Sequence, residues 1–484
     1  MRAKFSFRLV SIFLGLWLVA AAAESRKPNV IFILSDDQGA WALHANGASE
    51  LKTPHLDRLM AEGTFFTNSF TASPICSPSR MTYFTGRMPS THGLQFHLND
   101  KGATPRRYLD GQPSFSRALA DAGYIVGLSG KWHMGGDLEP QQGFSFWRVI
   151  HGVIYKDPKV VRDGAWQKTP GFKTDLECDY ALQFIDQNKD RPFALYWAAN
   201  APHRDYDFQP AEDRAPYHGS SFPSFPDEPM HPWQNPNSQL TGDHGNEESK
   251  TSYAALVTGL DRNIGRLLKR LEELGLLDQT LIVFASDNGY NTGHHGVWGK
   301  GSGTVPFNLY EESVRVPLLW WCPGHIPAGV HRPELVANYD FFPTLMDYLG
   351  ITVPDDPKRV GRSYAPFLRG ETPAWRDRLY FEYAYMRGVR TADLKLIERT
   401  DDWPSELYDL ADDPHERKNL AEDPARADQR AGLDRDLRAF FNSIGAPPLA
   451  DWATTTQQVH PPYSTERLPW YPLKPRAAAP DHGK

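Results

Sequence analysis

The chain has 484 residues, of which 40% are hydrophobic and 23% charged, with a formal net charge of -7. That length allows a large buried core and about two or three domains, or one large domain with a small one. The acidic balance and the lack of a Lys/Arg stripe exclude an electrostatic nucleic-acid footprint, and neither low-complexity tracts nor a fixed-period repeat is present.

In chain order, Arg2, Lys4 and Arg8 precede an apolar run from Leu9 to Ala20 and an alanine-rich stretch ending at Ala23. This is the pattern of a cleavable export signal over residues 1–23, shorter than the roughly 20 apolar residues of a stable membrane span. The mature protein is expected to start near Glu24 and to work in the periplasm or outside the cell. Only three cysteines follow, Cys76, Cys178 and Cys322, too few for a disulfide framework in that oxidising setting. A Cys178–Cys322 pair stays open, and one thiol is left over in any case.

Four apolar runs have strand length and stop at polar clusters. "NVIFILSDDQG" runs from Val30 to Leu34 and ends at Asp36 and Asp37; "GYIVGLSGKWH" runs from Tyr124 to Leu128 and ends at Lys131 and His133. "PFALYWAANAPH" runs from Phe193 to Ala198 and ends at His203; "TLIVFASDNG" runs from Leu281 to Ala285 and ends at Asp287 and Asn288. Continuous apolarity predicts strands covered on both faces, as in a mainly parallel sheet. The clearest helical period covers about Glu248 to Leu274 and is closed by Gly275. Strands alternating with helices predict an open, doubly wound α/β sheet whose ligands bind beyond the carboxyl ends of the strands. The proline-rich stretch from Ala201 to about Asn246 is aperiodic and reads as a functional lid or wall. After about residue 371 short alternating strands and a helix near Arg426 to Phe441 predict a smaller antiparallel domain over 371–460. The large domain then covers 24–370, and a proline-rich tail covers 461–484.

At the predicted sheet edge, Asp36, Asp37, Asp287 and Asn288 offer oxygen ligands only, which suits a hard cation such as Ca²⁺. Either acidic pair alone also reads as turn chemistry; together they would repel strongly without a cation. Arg80, Lys131 and Lys300 supply positive charge for an oxyanion, and His133 and His203 can move protons near neutral pH. "CSPSR" at 76–80 has helix-start chemistry: Pro78 fits a first turn, Ser77 or Ser79 can cap, and the helix dipole would lower the Cys76 pKa. A soft thiolate nevertheless suits an all-oxygen site poorly. His97, His294 and His295 are candidate substrate-pocket residues, with a structural role equally open for each.

"CSPSR" resembles the Cys-x-Pro-Ser/Ala-Arg motif of type I sulfatases, whose cysteine is oxidised to formylglycine during export. The resemblance extends through "TGRMPSTHG", "DDQG", "GKWH", "DNG", "GKG", "YEESVRVPLL" and "ELYDLADDPHERKNL", nearly the whole mature chain. It implies the alkaline-phosphatase-like fold, with a mainly parallel α/β domain flanked by helices and a smaller C-terminal antiparallel sheet with a helix. It implies Ca²⁺ held by Asp36, Asp37, Asp287, Asn288 and the group made from Cys76. In the mechanism it implies, Arg80 stabilises the hydrated aldehyde, Lys131 and Lys300 hold the sulfate, His203 or Lys300 protonates the leaving alcohol, and His133 deprotonates the remaining hydroxyl. The thiol is then a precursor. The expected partners are a sulfated carbohydrate substrate and a formylglycine-generating maturation enzyme. The chain departs from the pattern after His203, where "RDY" stands in place of the proline many relatives carry two positions on. Competing readings are a phosphodiester or phosphonate monoester hydrolase of the same fold and a non-catalytic glycan-binding relative.

Overall fold

The strand Asn29–Ser35 is buried along its whole length and pairs in parallel with Phe193–Ala198 on one side and Thr280–Ser286 on the other. Its side chains alternate between two cores. Val30, Phe32 and Leu34 enter one hydrophobic cluster, while Ile31 and Ile33 enter another on the opposite face. A strand apolar at every position is what two covered faces require. The computed structural model describes residues 27–98, 106–236, 238–400 and 403–451. The expected export signal and the proline-rich tail therefore lie outside the described residues.

The central sheet has ten strands, in the order Val330–Arg332, Thr64–Phe66, Leu318–Trp321, Thr280–Ser286, Asn29–Ser35, Phe193–Ala198, Ile125–Gly130, Phe144–His151, Lys159–Arg162 and Ala165–Lys168. Its middle is parallel; Leu318–Trp321 and the hairpin Lys159–Arg162/Ala165–Lys168 are antiparallel additions that the apolar runs did not announce. The helix Glu247–Glu273 covers one face, burying Leu256, Leu260, Ile264, Leu267 and Leu271. Each such leucine or isoleucine contributes about 1.5–3 kcal/mol of transfer free energy. Asn246 caps the helix by accepting from the Glu248 and Ser249 amides at 2.9 and 3.3 Å, and Gly275 follows it in the left-handed region at φ 66°.

The other face carries the helices Cys76–Thr85, Phe115–Asp121 and Phe341–Tyr348, joined by aromatic contacts. Phe341 stacks on Phe32 at 4.2 Å and meets Tyr83 edge-on at 5.6 Å, tying the central strand to the helix that begins at Cys76. Phe341→Ala is expected to cost about 3–5 kcal/mol, read as a lower urea midpoint in equilibrium unfolding.

Toward the C-terminus, Arg378–Tyr383, Met386–Thr391, Leu394–Arg399 and Glu406–Asp409 form a four-stranded antiparallel sheet. The helix Ala427–Ser443 packs Leu433, Leu437 and Phe441 into the same hydrophobic cluster. The mainly parallel α/β sheet with a smaller antiparallel sheet is the architecture the sequence implies. Within the aperiodic Ala201-to-Asn246 stretch the structure has short helices, Ala211–Arg214 and Ser238–Asp243. Cys178 and Cys322 are separate buried thiols. Among the described residues no helix is long and apolar enough to cross a membrane.

Candidate active site

Parallel pairing brings Ser35 opposite Ser286, so the residues that follow each strand emerge side by side. Asp36 and Asp37 leave one strand, Asp287 and Asn288 the other, and all four are essentially inaccessible to solvent. The Asp37 amide donates to Asp287 Oδ1 at 3.3 Å, and Asn288 Nδ2 donates to Asp37 Oδ1 at 2.7 Å. Asp37 sits at φ 66° and His133 at φ 59°, a backbone region costly for non-glycine residues and concentrated at functional sites.

Cys76 is the first residue of the helix Cys76–Thr85 and points at this edge. Its Sγ lies 3.3 Å from Asp36 Oδ1 and accepts from Lys300 Nζ at 2.7 Å. The expected serine cap is not formed. Ile75 is the N-cap and supplies no side-chain bond, while Ser77 Oγ accepts from the Leu98 amide and Ser79 Oγ donates to the Asp287 carbonyl. Both hydroxyls hold neighbouring segments in place instead of closing the helix.

Lys131 Nζ binds Asp36 Oδ2 at 2.5 Å, and Lys300 Nζ also donates to Asp37 Oδ1. Arg80, fully buried one turn into the helix, donates Nε to Asp287 Oδ2 at 2.9 Å and places Nη2 at 3.6 Å from Asp36 Oδ2. Its Nη1 donates to the Lys131 carbonyl at 3.1 Å. Three carboxylates and three permanent cations thus share one pocket. Burial pushes the Asp36 carboxyl up, but Lys131, His203, Arg80 and Lys300 outweigh it and hold it well below its ordinary range. Asp37 is raised, by burial first, against Lys300. Burial also drives the Cys76 thiol far above its ordinary value, and Asp36 adds to it. The helix dipole does not prevail, which corrects the expectation of a lowered thiol pKa: desolvation at a fully buried position is the larger effect.

His203 follows the strand Phe193–Ala198 with Nε2 at 3.7 Å from Asp37 Oδ2. Its Nδ1 lies 2.6 Å from the Arg204 carbonyl, so Nδ1 carries the proton in the neutral ring. Burial holds its pKa well below the usual histidine range. Sequence reasoning missed its support: the Tyr155 hydroxyl lies 2.8 Å from the His203 carbonyl and 3.1 Å from that of Asn200, and donates into that pair. His133 Nε2 contacts the Leu98 carbonyl at 3.0 Å.

Ligand atoms of Asp36, Asp37, Cys76 and His203 all lie within 4.8 Å of one another, a spacing that could hold a cation. Asn288 Oδ1 is buried with no hydrogen-bond partner. An unsatisfied amide oxygen beside carboxylates fits a hard, oxygen-seeking ion.

The edge opens into a cavity of about 820 Å³ lined by Asp37, Cys76, Lys131, His133, His203 and Lys300, and also by His97. The structure does not bring His294 and His295 to it. His294 packs on Trp41 at 4.9 Å, and burial lowers its pKa to about 4. His295 is turned away, bonded to Glu312 Oε2 at 2.6 Å and stacked on Tyr310 at 4.4 Å. Beside them Glu416 pairs with Lys395 at 2.6 Å, joining the large sheet's helix Glu311–Val314 to the C-terminal sheet.

The sulfatase family model matches residues 28–351, and a model of the N-sulphoglucosamine sulphohydrolase C-terminal region matches residues 293–442. The chain is 29% identical over 483 residues to an N-acetylglucosamine-6-O-sulfatase of Bacteroides thetaiotaomicron, covering 82% of this chain and 83% of that protein. It is 28% identical over 471 residues to an ulvan-active sulfatase of Formosa agariphila, covering 91% of this chain and 86% of the relative. A solved structure of a protein in complex with its substrate D-glucosamine-2-N,6-O-disulfate superposes with a TM-score of 0.75 at 26% identity, covering 87% of this chain and 98% of the other. With two thirds of its length matched by that family model, a shared fold and sulfuric ester hydrolases as relatives, the chain belongs to the sulfatase family, of the type I, alkaline-phosphatase-like kind.

Proposed function

We propose that the protein is an exported sulfatase that hydrolyses O-sulfate esters on a sugar or sulfated glycan, with Cys76 as the precursor of formylglycine and Ca²⁺ held by Asp36, Asp37, Asp287 and Asn288 beside it. The observation that carries this reading is the position of Cys76: buried at a helix start, with Lys300 at 2.7 Å and Asp36 at 3.3 Å. The substrates named for the relatives, N-acetylglucosamine 6-O-sulfate and ulvan, support a glycan.

The buried, unpartnered Asn288 Oδ1 beside the carboxylates supports the metal; the expected carboxylate repulsion does not, because lysine and arginine already relieve it. The three carboxylates Asp36, Asp37 and Asp287 cancel Arg80, Lys131 and Lys300, so a divalent cation leaves the pocket positive and complementary to a sulfate group. Once both are in place, the aldehyde hydrate at position 76 supplies the nucleophile and the calcium ion supplies Lewis-acid stabilisation. The chain's own residues do the rest. Lys131 and Lys300 bind sulfate oxygens as positive charges preorganised in a dry pocket, where each such contact is stronger than in water. Arg80, with no exposed surface, orients Asp36 and Asp287, and this replaces the direct contact with the hydrated aldehyde that the family resemblance implies. The leaving alcohol takes its proton from Lys300 or from His203, whose Nδ1 is committed to the Arg204 carbonyl and whose Nε2 has to be protonated first. His133 takes the proton of the nucleophile's remaining hydroxyl. A maturation enzyme acting on Cys76 is the required partner.

The reading is tested by comparing kcat/KM on 4-nitrophenyl sulfate with that on 4-nitrophenyl phosphate and a phenyl phosphonate monoester. The sulfate is expected to turn over fastest. A phosphate or phosphonate preference would move the site to the competing hydrolase class, and no turnover of any ester by matured protein would favour a glycan binder.

A further inference from the structure

The catalytic cavity has a second wall that the hydrolytic chemistry does not use. It is built by the segment from Gly152 to Pro158 and by the hairpin Lys159–Arg162/Ala165–Lys168, at the edge of the central sheet. Lys156, Lys159 and Lys168 all line the cavity and are all exposed. The protein as a whole is acidic, at a net charge of -7, so three lysines on one wall run against the global balance.

The hairpin makes the clustering costly. Lys159 and Lys168 are direct cross-strand partners, so their side chains leave the same face of the pair. Like charges placed directly opposite in an antiparallel pair are destabilising. The carboxylate within reach, Asp157, comes only to 3.9 Å of Lys168. No carboxylate lies at ion-pair distance from Lys156 or Lys159 among the described residues. Beside the lysines, Val153 and Ile154 also face the cavity, and Ile154 is 57% exposed, unusual for a large apolar side chain. Lys156 Nζ also lies 5.5 Å from the centroid of the Phe208 ring, and an apolar patch next to lysines with at most one long carboxylate contact among them matches the two faces of a sugar ring carrying an anionic group: C–H surface and a sulfate or carboxylate. A cavity of about 820 Å³ has room for more than the sulfate ester being cleaved.

We infer that this lysine wall selects substrates bearing a second anionic substituent, so that the preferred substrate is a polyanionic oligosaccharide, multiply sulfated or uronate-containing, and not a neutral monosulfated sugar. The inference rests on the sulfatase reading for the cleaved group, but the wall itself is tested by binding.

The probe is a fully sulfated heparin-derived tetrasaccharide, with its chemically desulfated, reduced-carboxyl counterpart as the neutral control. Wild-type protein is expected to bind the sulfated probe at least about tenfold more tightly than the control. The triple variant Lys156→Ala/Lys159→Ala/Lys168→Ala is expected to lose about tenfold in affinity for the sulfated probe. Its melting temperature should hold or rise, because the opposed charges are gone. Equal binding of both probes by wild type, or unchanged affinity in the variant, would overturn the inference. A variant that melts lower and loses affinity for both probes alike would also overturn it, by making the lysines structural. Turnover of 4-nitrophenyl sulfate by matured wild-type protein separates the two readings. Selective tetrasaccharide binding without turnover refutes the hydrolase and keeps the wall; turnover without selectivity does the reverse.

Discussion

Cys76→Ala is expected to reduce kcat/KM on an aryl sulfate by at least about a thousandfold, because a covalent-catalysis site without its nucleophile retains only binding and electrostatic assistance. Folding should survive. Cys76 is 3% exposed and behaves as a small buried apolar group, so truncation to alanine removes one sulfur atom at a cost of about 1 kcal/mol. Lys300 loses its contact with Sγ but keeps Asp37. Lost turnover with a near-native urea midpoint therefore locates the defect in the chemistry. Substantial residual turnover would show that hydrolysis proceeds without position 76.

Asp287→Asn is the second large expected effect, and it separates metal holding from protein stability. The carboxylate neutralises Arg80 through contacts at 2.8 and 2.9 Å while its other oxygen accepts the Asp37 amide. Neutralising it leaves a buried guanidinium with Asp36 at 3.6 Å as its remaining acidic partner, a loss of about 3 kcal/mol. Calcium at a hundredfold excess over its dissociation constant should stabilise the wild type by about 2.7 kcal/mol. In the variant that calcium-dependent rise in melting temperature should vanish, and turnover should fall at least about a hundredfold. An undiminished calcium shift together with undiminished turnover would remove Asp287 from the metal site.

Much of this site is legible in the chain because each functional cluster ends a strand buried on both faces. Asp36, Lys131, His203 and Asp287 each follow an uninterrupted apolar run, and parallel pairing then puts them at one edge. What is harder to read depends on packing between distant segments. The Cys76 pKa was expected to fall from the local helix start, yet burial under the sheet edge sets its direction. His294 and His295 lie close in sequence to Lys300, but an intervening two-stranded turn, Asn291–Thr292 with Trp298–Gly299, carries them out of the cavity. The antiparallel strand Leu318–Trp321 shows no alternation because its side chains enter two hydrophobic clusters, Leu318 and Trp320 on one face of the sheet and Leu319 and Trp321 on the other. The lysine-bearing hairpin does carry a turn signal in the sequence. Asp163 and Gly164 sit between Val160–Val161 and Trp166 with φ of 50° and 73°, the residue pair and conformation of a two-residue hairpin turn. Tyr155 had none, since its role exists only once the chain folds back onto the His203 loop.

In the proposed mechanism Cys76 is converted before it acts. The most direct test of that conversion is the mass of the peptide containing Cys76, taken from protein co-produced with an active formylglycine-generating enzyme. The expected result is a mass lower by the difference between a CH₂SH side chain and a CHO group, and a carbonyl that reacts with a hydrazide probe. An unmodified thiol from the same preparation, made alongside a control substrate that the maturation enzyme does convert, would contradict it.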